Sequence, residues 1–445
     1  MTNTELAAVV MAAGLGTRMR SDRPKHLHPL LGRTVLDWAL EAARPLAPDP
    51  LVVVCSPATR EELARVLPED VELAVQVDPR GTGDAVAAAR GATAGASTDV
   101  LVLDGAAPLL TPAVLEELVA EHRREEAAVT VLSIEPSEPW PYGRVLRDES
   151  GGLFGIVEEG DASPEQLAIR ELNTSIYVFA AGALWPALER LDAENVQGEL
   201  YLTDAVRHIV ADGGRGAVYR AADPIVGLGI NNRAELAQAG AVLRDRLLEG
   251  HMLAGVTILD PASTWVDPDV VLEPDAVVHP FTVLRGRTKV GAGAEVGPHV
   301  VAIDAEIGPR ATVGPFSYLR PGTVLSTEAK VGAFVEVKNS RLGERTKVPH
   351  LSYIGDADVG EDTNIAAGAI TANYRPELGE GKQRTVIGRN VHTGSDNVFV
   401  APLEIGDDAW IGAGSTITED VPAGALAIAR ARQVNKDGYG GKRND

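Results

Sequence analysis

The chain is predicted to hold two domains of different class: an α/β domain built on a mostly parallel sheet, followed by an all-β parallel β-helix joined to it by a helix. Three observations predict this. Residues 1–230 alternate continuous apolar runs of strand length with segments of helical spacing. Residues 256–445 repeat an aliphatic residue followed by glycine at a regular interval. Between them, residues 231–255 carry apolar side chains along one helical face and read as a linker helix.

In the first domain the strand-like runs are "AAVVMAAG", "LVVVCS", "VELAVQV", "DVLVLDG" and "AVTVLSI". They lack the polar alternation of a half-exposed sheet, so both faces should be covered by helices such as "VLDWALEAARPL" and "PAVLEELVAEHRREE". Ligands of such sheets bind beyond the carboxyl ends of the strands. In the second domain the pairs include Val290-Gly291, Val296-Gly297, Val313-Gly314, Val331-Gly332, Ile387-Gly388 and Ile405-Gly406. Spacings of six and eighteen imply three flat sides per coil, the aliphatic residue pointing inward and the glycine suiting a tight corner. The stretch "NYRPELGEGKQRT" breaks the phase and marks a loop thrown out from the coils. Flat prism faces favour packing against copies, so a homotrimer with sites between subunits is expected.

Composition narrows the function. A net charge of −22 over 445 residues argues against nucleic acid or an anionic membrane as the main partner. A single cysteine, Cys55, excludes an internal disulfide or a cysteine-rich metal site, and its apolar run places it in the core. No apolar run approaches the roughly 20 residues that cross a bilayer. The start "MTNTELAAVV" lacks the basic region of a signal peptide, so a cytoplasmic protein is expected.

Against that acidic background, "VVMAAGLGTRMRSDRPKHL" stands out. Following a strand, Gly14 and Gly16 allow backbone N–H groups to approach an anion, and Arg18 and Lys25 supply charge for phosphate oxygens. It is neither a Walker loop nor a dinucleotide-binding glycine motif. The string "AAGLGTRM" with Pro24-Lys25 is similar to the signature of nucleotidyltransferases that make nucleoside diphosphate sugars. "GTGDA", "YGRV", "GIVEEGDA", "LNTSIYVF", "QGELYLTDAV" and "GINNR" follow in order. "LRPGTVL", "VGAFVEVKNSRLG", "HLSYIGDADVG", "NIAAGAITANY", "TGSD" and "GAGSTITEDVPAGALAIARARQ" complete the second half. Together they resemble the bifunctional N-acetylglucosamine-1-phosphate uridylyltransferase/glucosamine-1-phosphate acetyltransferase family, GlmU, over nearly the whole chain.

The resemblance implies a Rossmann-like nucleotidyltransferase domain and a left-handed, hexapeptide-repeat β-helix. It implies acetyl transfer from acetyl-CoA to glucosamine 1-phosphate, then uridylyl transfer from UTP with Mg2+, for cell-wall precursor synthesis. An ammonium cannot attack a thioester, so a base is required, and His350 matches the family's base. Arg320, Glu336, Lys338, Tyr353, Asn364 and Lys382 match sugar-phosphate contacts. Ala367, Asn373, Tyr374, Ser395, Ala413 and Arg430 match acetyl-CoA contacts, with a backbone amide near Ser395 or Ala413 for the oxyanion. Met11, Ala13, Gly14, Arg18, Lys25, Gln76, Gly81, Thr82, Gly143, Glu158, Asn173 and Asn231 match positions that hold UTP or UDP-N-acetylglucosamine, Asn231 also ligating metal.

One departure bears on metal. Where the family has an aspartate ligand the chain reads "DGAAPLL", with Ala106 in its place and Asp104 two residues earlier on the same side of a strand. Ser175 stands where the family has glycine, and Pro79 replaces a polar uracil contact. These changes leave open an enzyme of acetyl transfer alone, or a first domain of other sugar-nucleotide specificity.

Overall fold

The computed structural model describes residues 4–14, 16–95, 97–149, 151–437 and 439. Leu15 of the glycine loop lies outside them. The chain forms two compact units, Met1–Leu243 and Arg244–Asp445. Helix α2 (Arg233–Leu253) spans that division. It starts after Asn232, whose Oδ1 accepts from the N–H groups of Ala234 and Glu235. Asn231 therefore precedes the helix rather than opening it.

The first unit is an α/β domain. Its strands are β1 (Thr4–Met11), β2 (Leu51–Cys55), β3 (Val71–Val75), β4 (Ser97–Asp104) and β5 (Val129–Ile134). β6 (Arg144–Arg147), β7 (Leu153–Val157), β8 (Leu172–Ala180) and β9 (Gly216–Arg220) complete the sheet. The order is β9-β5-β8-β4-β1-β2-β3, with β6 pairing to β8 and β7. β8 runs antiparallel to β4 and β5, whereas β1, β2, β3 and β4 are parallel. Every residue of β2 and β5 is buried, which explains the unbroken apolar run of β2; in β5 the buried Thr130 and Ser133 hydroxyls are satisfied by His122 and Glu171. Cys55 belongs to this core, and burial pushes its thiol pKa up. Helix α1 (Val35–Ala43) opens with a capping box between Thr34 and Asp37. Met11 lies opposite Asp104, so the glycine loop and the end of β4 meet at one carboxyl edge.

The second unit is a left-handed parallel β-helix of three stacked faces. Val278 pairs with Val296, Val296 with Val313, Val313 with Val331 and Val331 with Val348. These aliphatic residues are almost wholly buried along the prism axis. The "NYRPELGEGKQRT" loop lengthens one coil, so that Val359 pairs with Ile387 and Ile370 with Val398, without loss of register.

The glycines serve a different purpose from the one expected. Of the aliphatic–glycine pairs named above, only Gly314 has a left-handed backbone, whereas corners are turned by residues such as Asp275, Phe281, His299, Phe316 and Phe334. Most of the glycines instead allow coils to approach. A Cβ on Gly332 would lie 1.9 Å from the Pro349 carbonyl oxygen, and one on Gly388 would lie 2.6 Å from the Asp407 nitrogen. The corner aromatics stack, with Phe281–His299 centroids 4.8 Å and His299–Phe316 centroids 4.7 Å apart.

Gly332→Ala forces a methyl group into a backbone oxygen of the next coil. It is expected to cost about 1–3 kcal/mol or more, read as a lowered urea midpoint for the second unit. An unchanged midpoint would show that the coils separate freely.

Candidate functional sites

At the carboxyl edge of the first sheet lies a cavity of about 540 Å³. Met11, Ala13, Gly14, Arg18, Lys25, Gln76, Gly81, Thr82 and Asn231 line it, as does Pro79. Gly16 is left-handed (φ 62°), and a Cβ there would lie 2.7 Å from Lys25 Cβ, so glycine lets the loop close over the lysine. Arg18 Nη2 donates to Asn231 Oδ1 at 3.0 Å. Gln76 Nε2 donates to the Gly81 carbonyl at 3.0 Å and to Asp84 Oδ2 at 2.9 Å, which fixes the amide. His26 also lines the cavity, but burial, with Lys25 beside it, lowers its pKa to about 3. The positive charge there comes from Arg18 and Lys25, not from the imidazole.

Asp104 lines this cavity and Ala106 does not. Ala106 is fully buried in an apolar cluster with Met19, Leu109 and Ile230. Asp104 Oδ1 accepts from the Ala106 N–H at 2.9 Å, while Oδ2 has no hydrogen-bond partner among the described residues. No cluster of three or more His, Cys, Asp or Glu side chains suited to a metal occurs among the described residues.

Gly143, Glu158 and Asn173 come together beside a second cavity of about 130 Å³, but only Glu158 lines it. The Asn173 N–H donates to the Gly143 carbonyl at 2.8 Å, and a Cβ on Gly143 would sit 3.4 Å from Glu158 Oε2. Asn173 is buried, its Nδ2 donating to Tyr177 Oη at 2.8 Å. Glu158 Oε1 accepts from Thr203 Oγ1 at 3.0 Å. Burial first, then the charges of Asp161, Asp204 and Glu199, raise the Glu158 pKa against that hydrogen bond. Gln197, Tyr201 and Thr203 also line this cavity. The motif "QGELYLTDAV" pointed to their segment, but nothing in the sequence selected the side chains.

Ser175 lines both cavities at φ 62°, a conformation in which its Cβ costs energy that glycine avoids.

In the second unit, His350 ends one prism face and Tyr353 begins the next, across the left-handed corner at Leu351. The His350 ring is exposed and makes no hydrogen bond among the described residues. Its carbonyl accepts from the Gly368 N–H, that of Ala367 from Asp396, and that of Ser395 from Gly414. His350, Ala367, Ser395 and Ala413 thus follow one another coil by coil along one edge. The amides of Ala367, Ser395 and Ala413 make no hydrogen bond among the described residues. Arg430 continues the line, its Cδ 3.8 Å from the Cβ position of Gly414. Asn364 bridges Lys347 and His392 on the same face.

Across the corner, Glu336 pairs with Tyr353 and Lys338 with Gly355. Arg320 Nη1 donates to Glu336 Oε1 at 2.9 Å, which raises the guanidinium pKa. Asn373 is buried and donates to Tyr353 Oη at 3.2 Å. It therefore sits with the predicted sugar-phosphate group, while Tyr374 beside it is exposed under Lys382, whose Nζ lies 4.1 Å from the ring centroid. Asp356 and Asn339, which the motifs did not single out, join this cluster.

Residues 8–208 match the family described as "MobA-like NTP transferase domain". A "Bifunctional protein GlmU" from Mycolicibacterium vanbaalenii is 47% identical over 98% of this chain and 92% of its own length. One from Pelobacter propionicus is 44% identical over 98% of both. One from Thermobifida fusca is 46% identical over 97% of this chain and 93% of its own. The similarity runs through both halves, so an enzyme of acetyl transfer alone is not favoured.

Two outcomes follow from the first unit. Ser175→Gly is expected to raise stability by about 1 kcal/mol, measured by thermal denaturation; a loss would show that the hydroxyl outweighs the strain. A raised Glu158 pKa means that this carboxylate gains its proton at a higher pH than an ordinary glutamate. Its carboxyl resonance in carbon NMR is expected to move at a higher pH than those of exposed glutamates, and that signal to be absent from Glu158→Gln.

Proposed function

The chain belongs to the GlmU family of bifunctional proteins, and from that footing we propose how its residues divide the work. It is a glucosamine-1-phosphate N-acetyltransferase and a UDP-N-acetylglucosamine diphosphorylase. It acetylates glucosamine 1-phosphate with acetyl-CoA, then transfers UMP from UTP to N-acetylglucosamine 1-phosphate, releasing pyrophosphate. The product feeds cell-wall precursor synthesis, and we place the enzyme in the cytoplasm.

In the acetyl-transfer half, His350 accepts the proton of the sugar amine as its nitrogen attacks the thioester carbonyl. The C–N bond forms and the carbonyl oxygen becomes an oxyanion; its collapse back to a carbonyl breaks the C–S bond, and the departing thiolate takes the proton held by His350 and leaves as the thiol. A free amide on the edge, at Ser395 or Ala413, donates to that oxyanion. Arg320, Lys338, Tyr353 and Lys382 grip the phosphate, with Glu336 and Asn364 on the sugar. Acetyl-CoA runs along Ala367, Ser395, Ala413 and Arg430, with Tyr374 beside it, while the buried Asn373 amide is taken up by Tyr353 and Asp356. The observation that carries this reading is the coil-by-coil line from His350 to Ala413, with three amides that make no hydrogen bond among the described residues. That line is open on a single prism, and a neighbouring prism that closes the groove favours a homotrimer.

In the uridylyl-transfer half, the glycine loop and Gln76, Gly81 and Thr82 hold the nucleotide, and Arg18 and Lys25 neutralise its phosphates. Gly143, Glu158 and Asn173 shape the amino-sugar end. Asp104 Oδ2 and the Asn231 amide oxygen are hard donors that would hold Mg2+. Mg2+ bound there would supply positive charge to the UMP group in transfer. The fully buried Ala106 methyl offers it no ligand.

His350→Ala is expected to lower acetyl transfer by about 10²-fold or more while pyrophosphate release from UTP stays unchanged. Normal acetyl transfer in that variant removes the proposed base. Asp104→Asn is expected to weaken Mn2+ binding, read by electron paramagnetic resonance, together with uridylyl transfer. Unchanged Mn2+ binding assigns the metal to other ligands. Light scattering of the full chain is expected to give the mass of three copies.

A further inference from the structure

Asp356 is a buried carboxylate within the acetyl-transfer cluster that the catalytic scheme above does not use. Its side chain is 7% exposed. Oδ1 accepts from Asn339 Nδ2 at 2.6 Å. Oδ2 accepts from Asn373 Nδ2 and lies 3.5 Å from Lys338 Nζ. The backbone anchors it as well: its N–H donates to the Lys338 carbonyl at 2.9 Å, and its carbonyl accepts from the Thr385 N–H at 3.1 Å.

The hydrogen-bond directions follow from chemistry. A carboxylate only accepts, so the NH₂ ends of both asparagines must face it. Asn373 Nδ2 then gives one hydrogen to Asp356 and the other to Tyr353 Oη. Tyr353 Oη is thereby an acceptor toward Asn373, and its own proton is left for an incoming oxygen. Gly355 makes the arrangement possible, because a Cβ there would lie 2.3 Å from Tyr353 Oη and 2.7 Å from Asn373 Nδ2.

We propose that Asp356 is a positioning residue for the sugar phosphate: its buried carboxylate holds the Lys338 ammonium and, through Asn373, turns the Tyr353 hydroxyl proton toward the substrate. This rests on the reading of Lys338 and Tyr353 as sugar-phosphate contacts. A bare Coulomb view predicts the opposite, since a negative charge 3.5 Å from Lys338 weakens its attraction for phosphate. Orientation wins if loss of the carboxylate weakens binding.

The full chain carrying Asp356→Asn tests this by initial rates of acetyl transfer. The substituted amide presents its own NH₂ to one of two NH₂ donors, so Asn373 or Asn339 must turn away. KM for glucosamine 1-phosphate is expected to rise about tenfold, with kcat within about twofold. Adding Asp356→Asn to the Lys338→Met/Tyr353→Phe chain is expected to change KM no further, an outcome that general loosening of the prism does not produce. Asn339→Gly, which frees one side of the carboxylate at a left-handed position, is expected to give a smaller rise of the same kind if Asp356→Asn fails to fold. A KM that falls or stays unchanged in Asp356→Asn overturns the proposal, as does an equal further rise in the combined variant. If Lys338→Met/Tyr353→Phe leaves KM unchanged, the underlying assignment of those two residues fails instead.

Discussion

In-register stacking of coils is the constraint on which the second unit depends. Each coil repeats the backbone of the one before it, so a residue position recurs as a column along the prism. The inner column is aliphatic, from Val278 through Val348, and its burial drives the stack. The same periodicity lines up His350, Ala367, Ser395 and Ala413 on one edge, and Glu336 with Tyr353 on the adjoining face. Chemistry is thereby placed by the pitch of the fold. The protruding loop carries Tyr374 and Lys382 outward without disturbing that pitch, because Val359 and Ile387 still pair across it.

Close stacking also explains the glycines. Where one coil presses its backbone on the next, even a methyl group collides, as at Gly332 and Gly388. The corners tolerate side chains in the left-handed region because stacked neighbours repay the strain, most visibly in the Phe281–His299–Phe316–Phe334 column.

In the first unit the equivalent constraint is the common carboxyl edge of parallel strands. Met11 and Asp104 finish side by side, so cations of the glycine loop and a carboxylate of β4 share one cavity in an otherwise acidic protein. Charge is sorted by environment. Arg18 and Lys25 stand at the cavity wall, and burial makes His26 a neutral neighbour. Asp104, the last residue of its strand, puts a carboxylate at this wall, whereas Ala106 lies in the turn that follows, is buried among apolar side chains and does not reach it.

Local pattern carried much of this. The apolar runs of β1 to β5, the six- and eighteen-residue spacing of the prism and the basic glycine loop are legible because period and residue type report burial and charge directly. Gly14, Gly16, Arg18 and Lys25 were legible for the same reason, whereas Gln76, Gly81, Thr82 and Asn231 were reached only through the family resemblance. Pairing across distant segments was not legible. The burial of Ala106, the inward turn of Asn173, the backbone strain at Ser175 and the joining of Asp356 to Lys338, Asn339 and Asn373 depend on which strands and coils become neighbours. Sequence spacing fixes what a residue can do; only the folded chain decides which groups it meets, because contact energies act across space and not along the chain.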